Sequence, residues 1–396
     1  WLRKLGYRRH KIQKGLYVDG HERADVLEYR NDVFLPQMAQ FEKFMRTYDG
    51  EELIPQEPQL NGQLRIIPLF HDESCIHAWD YKAHVWLPDG KTQVPRKSKG
   101  RIVHISDFIT PEGVGRLVYR DENGNEHNAR TIIYPGTKGD DWWDTKQLIE
   151  QLTRTMSIFT AMYPDAQALF ICDQSSAHAS HGEGALNAYK LNKGDGGKVT
   201  PQRDTEFPPE TAIPELVGKK QELSFLDAAG VRKAKGLVTI LTERGIDPKG
   251  KNGKCPKGCA DGAIDCCLAR MLSLHHDFRT EKPALQKLIE ERGHCCIFLP
   301  KFHCELNVIE MYWGWVKTRY RQTVKKSWEE AKVAAVNALN ACPPDVIRRF
   351  CRRAFRYMDA YRKGLSAVQA AFAVRKYSSH RCVPQSVFMS VDALLN

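Results

Sequence analysis

"AQALFICDQSSAH" (residues 166–178) joins seven residues of almost unbroken apolar character to an abrupt polar turn that begins at Asp173. A run of that length and composition, bounded by turn residues, reads as a strand buried on both faces. The preceding "DTKQLIEQLTRTMSIFTAMY" (144–163) has helical periodicity, with Asp144 placed to cap its first turn. Further upstream, short β-type runs are separated by Gly, Asp and Asn turns: "QLRIIPLF" (63–70), "AHVWLPDG" (83–90), "RIVHISDFI" (101–109), "GRLVYR" (115–120) and "ARTIIYPG" (129–136). Downstream, "HCCIFLP" (294–300) supplies one more strand before a helical remainder. Strands alternating with helices place the chain in the α/β class.

The texture divides the chain into five segments. Residues 1–60 are helical, with "DVLEYRNDVFLPQMAQFEKFMRTY" (25–48) the clearest amphipathic helix, interrupted by Pro36. Residues 61–177 hold the first part of the sheet. Residues 178–293, polar and rich in Gly, Lys and Pro, interrupt it as an inserted subdomain. Residues 294–325 hold the last strand and the helix after it, and residues 326–396 form a basic helical region. Trp1 is not a methionine, and "WLRKLGY" (1–7) reads as a helix end closed by Gly6, so further chain is expected before it.

Three carboxylates fall at element boundaries. Asp72 in "IIPLFHDES" (66–74) reads as lying just beyond an apolar strand, Asp173 lies directly beyond another, and Glu310 sits in the first turn of the helix after the third. Singly, such residues are ordinary turn and cap residues. Together they can hold a pair of hard divalent cations through oxygen, as phosphodiester chemistry requires. At 100° per residue, Ile309, Tyr312, Val316 and Tyr320 share a face suited to packing on a sheet. Glu310, Gly314, Lys317 and Arg321 share another, where a missing side chain and two cations suit metal and a phosphate backbone.

Charge and cysteine content narrow the partners. The formal net charge is +11. From Lys301 onward, 17 Lys and Arg stand against 7 Asp and Glu, a surplus that points to nucleic acid rather than membrane. In "VIRRFCRRAFRYMDAYRKG" (346–364), Arg348, Arg352 and Arg356 form one stripe with Arg349 and Arg353 beside it; the readings are DNA-backbone contact or a solvated face. Twelve cysteines in so long a chain, with no secretory or membrane-spanning run, point to a reducing compartment, cytosol or nucleus. "CPKGCADGAIDCC" (255–267) offers Cys255, Cys259, Cys266 and Cys267 to one Zn²⁺, with Cys295 or His294 as further candidates. The usual two-residue spacer is missing, so ordinary reduced thiols are the other reading.

"HDES" (71–74), "DQSSAH" (173–178) and "ELNVIEMYWGWVK" (305–317) resemble the three signature blocks of the mariner/pogo superfamily of DDE transposases. "DCCLARMLSLHHDF" (265–278), "GHCCIFLPKFHCELNVIEMYWGWVK" (293–317), "FRYMDAYRKGL" (355–365) and "RKYSSHR" (375–381) resemble a lineage of transposase-like DDE endonucleases abundant in fungal genomes. The resemblance implies a ribonuclease-H-like core, of retroviral-integrase type, with an inserted subdomain and helical flanks. It makes Asp72, Asp173 and Glu310 a triad for two Mg²⁺ or Mn²⁺ ions, leaves Glu305 non-catalytic, and lets Ser175 and His178 orient the ligands. The implied activity is cutting DNA and joining 3′-hydroxyl ends in the nucleus, with transposon ends and target duplex as partners and a homodimer as a compatible assembly. A domesticated DNA-binding descendant and a ribonuclease-H-type hydrolase are the alternatives. Three departures stand out: Val308 replaces the proline of the usual Asp-Leu-Asn-Pro-Ile-Glu block, 136 residues separate Asp173 from Glu310, and the family's helix-turn-helix domains would lie before Trp1.

Overall fold

A computed structural model of the chain describes residues 20–81, 97–136, 139–175, 177–260, 262–377 and 382–384. The strand expected at 83–90, the "WLRKLGY" segment and "SSHR" (378–381) lie outside the described residues. The chain divides into two compact units: residues 1–178 with 288–396, and Ala179–Lys287. Among the described residues, no helix is long and apolar enough to cross a membrane.

The first unit is built on five strands: β1 (Arg65–His77), β2 (Ile102–Ile109), β3 (Thr131–Ile133), β4 (Ala166–Cys172) and β5 (Cys295–Phe298). Their spatial order is β5-β4-β1-β2-β3; β1, β2 and β3 run antiparallel, whereas β4 and β5 run parallel to β1. An antiparallel meander followed by two parallel strands added on the other side of β1 is the ribonuclease-H-like arrangement, and the fold is of that class.

Side chains alternate across the sheet. Phe70, Ile105, Ile109, Leu169, Ile171 and Ile297 join one core with helix α2 (Val308–Gln322), whose Ile309, Tyr312, Val316 and Tyr320 are all fully buried, the face expected from the sequence. On the other face lies helix α1 (Thr145–Met162), opened by Asp144: its carboxylate accepts from the N–H of Gln147 (2.8 Å), while the Gln147 side chain accepts from the N–H of Asp144 (3.0 Å). Both orphan donors are thereby satisfied. Gln151 on α1 donates to the carbonyls of Ser106 (3.0 Å) and Ala129 (2.9 Å), anchoring the helix to the sheet. Helices α3 (Trp328–Asn340), α4 (Pro344–Arg362) and α5 (Ala367–Lys376) complete the α2 side of the core.

The N-terminal helix departs from its expected form in two ways. It continues past Pro36 by widening into a π-type register over Tyr29–Phe34, which accommodates a residue that lacks an N–H and would crowd the preceding turn. It also stops at Glu42, and Thr47–Asp49 instead pairs antiparallel with Ile54–Gln56.

The second unit consists of short hairpins, such as Ser224–Leu226 with Arg232–Ala234, and short helices around Leu186, Leu191, Leu223, Leu237, Ile240, Leu241, Leu268 and Leu272. Arg244, fully buried there, is satisfied by both oxygens of Asp277 (3.1 and 2.7 Å) and by Gln221 (2.9 Å).

One buried ion pair ties α2 to the sheet. Arg130, beside β3, donates to Asp107 of β2 (2.6 Å), to the Tyr312 hydroxyl on α2 (3.0 Å) and to Asn340 at the end of α3 (2.9 Å). Arg130→Met leaves the Asp107 carboxylate buried and unpaired and should cost about 3–5 kcal/mol. Adding Asp107→Asn should recover part of that loss in urea denaturation; a double variant less stable than the single one would show that the pair does not carry the attachment.

Candidate active site

The parallel ladder between β1 and β4 runs from Arg65↔Ala166 to Phe70↔Ile171. Two residues further along each chain, Asp72 and Asp173 stand at the same level. β4 ends at Cys172, so Asp173 is the first residue beyond its strand, as expected. Asp72 is not: it lies inside β1, which continues to His77. The reason is that β2 keeps pairing with β1 after β4 has stopped, with Asp72 opposite Asp107. The polar "HDES" stretch is therefore a strand that has lost one neighbour, not a turn.

Glu310 lies in the first turn of α2, preceded by Asn307 at the N-cap. Asn307 is buried, and its amide donates to the carbonyl of His71 in β1 (3.3 Å), so the start of α2 is fastened directly beside Asp72. Trp313, one turn into α2, donates its indole N–H to Asp72 (3.3 Å). Asp173 accepts from the Ser175 N–H (3.1 Å) and from Nδ1 of the fully buried His178 (2.5 Å), whose own N–H reaches the Ser175 hydroxyl (3.3 Å). Nε2 of His178 faces Glu73 (3.6 Å), which also accepts from the Trp143 indole (3.0 Å). Asp173, Ser175, Asn307 and Glu310 line a cleft of about 270 Å³ together with the loop from Leu299 to Cys304. In that loop, Phe302 holds a positive φ of 63°, a sparsely populated conformation for a side chain of its size.

The electrostatics separate the carboxylates. Burial, then the charges of Glu310, Glu73 and Asp173, push the Asp72 carboxyl up to about 8. Glu310 reaches solvent at the cleft edge, but the protein packed around it raises its carboxyl above the usual range, with Lys317 opposing and Asp173 adding to the rise. Burial also pushes on Asp173, but its bonds to His178 and Ser175 outweigh that and hold it below the ordinary value. His178 is raised to about 11, because its two carboxylate partners overcome the cost of burial. Glu73 is lowered to about 2: burial opposes ionisation, and His178, His71 and Trp143 prevail.

The donor set suits a hard divalent cation: carboxylate oxygens and no sulfur. His71, Glu73 and His178 present donor atoms within 4.8 Å of one another; among the described residues, Asp72, Asp173 and Glu310 are not grouped so tightly.

Two other expectations meet the structure differently. Lys317 stands close enough to Glu310 and Asp72 to feel both charges, while Arg321 is held by Asp80 (2.9 Å). Gly314 faces open space, with no atom within 4 Å of where a Cβ would stand. On α4, Arg352 and Arg356 are buried, with Arg352 donating to the carbonyl of Gly50, and Arg348 donates to the carbonyl of Pro111 (3.1 Å) and to Asp345 (2.8 Å). That stripe is turned into the fold, where Arg348 and Arg352 meet carbonyls and Arg356 is buried, so it is not a DNA-facing surface; Arg349 and Arg353 stay exposed. Glu305 is buried in a short 3₁₀ turn and accepts from Tyr361 (2.7 Å), with His21 at 3.2 Å. The four cysteines of the insertion converge within the second unit.

No protein-family model and no curated protein matches the chain. Solved structures do. The chain is similar to a Mos1 transposase paired-end complex with the left transposon end (TM-score 0.46, 9% identity, covering 92% of this chain and 68% of that one). It is also similar to a pre-cleavage Mos1 transpososome (TM-score 0.43, 9% identity, 89% and 65% covered) and to a Mos1 mariner paired-end complex with Mn (TM-score 0.28, 14% identity, 45% and 44% covered). The chain thus spans about two thirds of the transposase chains it matches over most of its length. The ribonuclease-H-like assignment itself rests on the strand order and directions.

Asp72 carries a pH signature. Its folded-state value of about 8 lies above that of an unfolded aspartate, about 3.9. In metal-free protein, its contribution to stability is therefore fully present below pH about 4 and is lost as pH rises to about 8. His178 adds a loss of the same sign above about 6.5, but in wild type and variant alike. The melting temperature of metal-free wild type should fall from pH 5 to pH 8, and Asp72→Asn should flatten the fall and melt higher at pH 8. A variant that melts lower throughout would remove the crowded-carboxylate reading.

Proposed function

We propose that the chain is a transposase-type DNA endonuclease and strand transferase, with Asp72, Asp173 and Glu310 holding two Mg²⁺ or Mn²⁺ ions. The observation that carries this is the convergence of three carboxylates at one sheet edge, with Asp72 raised by burial and then by the charges of Glu310, Glu73 and Asp173, and with Lys317 close enough to feel both Asp72 and Glu310. Bound there, such ions would activate water or a DNA 3′-hydroxyl for in-line attack and stabilise the leaving oxygen.

The remaining residues have positional work. Asp72, level with Asp173 on one side and under α2 on the other, would hold the ions together with Asp173 and Glu310. His178 keeps Asp173 ionised and fixed in rotation, and Ser175 closes the same turn. Asn307 and Trp313 set the height of α2 above β1. The open face at Gly314 beside Lys317 would let a phosphate backbone approach. Exposed Arg349 and Arg353, rather than the buried stripe next to them, are the α4 residues left to meet DNA.

The test is cleavage and joining of labelled DNA duplex, RNA–DNA hybrid and pre-nicked DNA ends in Mg²⁺ or Mn²⁺. Cutting or joining of DNA supports the proposal; action on the hybrid alone would make the chain a ribonuclease-H-type hydrolase, and no cutting with retained DNA binding would make it a domesticated binding protein. Glu310→Gln removes a ligand charge while keeping size, so activity should collapse by orders of magnitude with DNA binding retained. Glu305→Gln should instead lower thermal stability, because the carboxylate bonded by Tyr361 is changed, and leave turnover of the folded fraction nearly intact. The opposite pattern would move the chemistry from α2 to the loop before it.

A further inference from the structure

We infer that the second unit carries a structural zinc site formed by Cys255, Cys259, Cys266 and Cys267, separate in chemistry from the carboxylate centre. The Sγ atoms of all four lie within 4.8 Å of one another, and those of Cys259 and Cys267 are 3.7 Å apart. A tetrahedron with Zn–S bonds of about 2.3 Å has S···S edges of about 3.8 Å, so the pair already stands at the spacing that zinc requires. It is far too wide for a disulfide, whose sulfurs lie about 2.05 Å apart, and all four cysteines are free.

Ordinary buried thiols do not gather this way. A structural cysteine packs singly among apolar side chains, whereas the segment 255–267 has little else to hold it. Among its described residues there is no helix or strand, and its one large apolar residue, Ile264, is 67% exposed. Cys267 belongs to the unit's apolar core and half-buried Cys255 and Cys259 pack against it, but Cys266 faces solvent, so apolar burial accounts for three of the sulfurs and not for the fourth that meets them. A common ion does.

The surroundings fit thiolate ligands. The backbone N–H of Arg270 donates to Sγ of Cys267 (3.4 Å), and the hydroxyl of Tyr189 lies 3.7 Å from Sγ of Cys259. Such outer bonds orient sulfur ligands and spread their charge. Lys254 and Lys257, both exposed and adjacent to ligand positions, offset the double negative charge of a zinc tetrathiolate. Four protein ligands leave no open position, so the site holds structure and takes no substrate. It would close the loop onto the helix Leu268–Ser273, already met by the bonds from the N–H groups of Leu268 and Ala269 to the carbonyls of Asn252 and Gly253 (both 3.0 Å). The lack of a two-residue spacer is met by Cys266 and Cys267 both turning to the site, and neither His294 nor Cys295 is needed to complete it.

Elemental analysis of the full chain, purified without chelator under reducing conditions, should find one zinc per chain. Exchange with Co²⁺ should give the thiolate-to-cobalt charge-transfer band and the strong visible bands of tetrahedral sulfur coordination, which carboxylate-bound cobalt lacks. Cys255→Ser with Cys259→Ser should lose both the zinc and the spectrum, whereas Cys382→Ser, at an exposed cysteine outside the cluster, should keep them. Absence of the cobalt–thiolate band in wild type overturns the inference whether or not the double variant folds. So does iron in place of zinc, or zinc retained in the double variant.

Discussion

Everything at the candidate centre depends on one mismatch of strand lengths. β1 and β4 run parallel in register, but β4 stops at Cys172, level with His71, while β1 continues for six residues to His77, supported by β2 alone. A strand with a neighbour on only one side has one edge open, and that is where Asp72 and Asp173 come level. Had β4 continued, Asp173 would have turned into a layer of packed side chains. The sheet therefore makes the site by ending a strand, and the ladder that fixes the hydrophobic register fixes the two aspartates with it.

Helix α2 brings the third carboxylate, and its placement is set by apolar burial at one face and by polar ties at its start. Ile309, Tyr312, Val316 and Tyr320 seat the helix on the sheet, Asn307 fastens its first turn to β1, and Arg130 links Tyr312 to Asp107. Glu310 is thereby carried to the open edge on a rigid element instead of a loop. The cost of burying carboxylates, with their neighbours' charges adding to it, appears in the raised carboxyls of Asp72 and Glu310, and a cation is the natural compensation.

Much of this could be read from the sequence, because the deciding signals were local. The nearly unbroken apolar run that ends before Asp173, Asp144 as the cap of α1, and the buried stripe of α2 are each signals contained within one element. What was not legible depends on partners distant in sequence. Asp72 looked like a turn residue because nothing in "HDES" shows that β2 continues alongside it. The arginines of α4 showed their sign and spacing, but not that Gly50 and Pro111 would take Arg352 and Arg348 inward. Glu73 and His71 gave no signal beyond lying within the quoted motifs, since their surroundings form only when His178 meets β1, and Asn307 showed its place at the helix start but not its bond to His71 across 236 residues of chain. The π-type turn before Pro36 was likewise hidden, because a proline predicts a break and not the register change that avoids one.

The central proposal is that Asp72, Asp173 and Glu310 would together hold two divalent ions. Electron paramagnetic resonance of the full chain titrated with Mn²⁺ tests it most directly. Two bound Mn²⁺ per chain with the spectrum of a spin-coupled pair, reduced by Asp72→Asn to uncoupled or absent Mn²⁺, is the predicted result. A single uncoupled Mn²⁺ in wild type, or a coupled pair that survives Asp72→Asn, would contradict it.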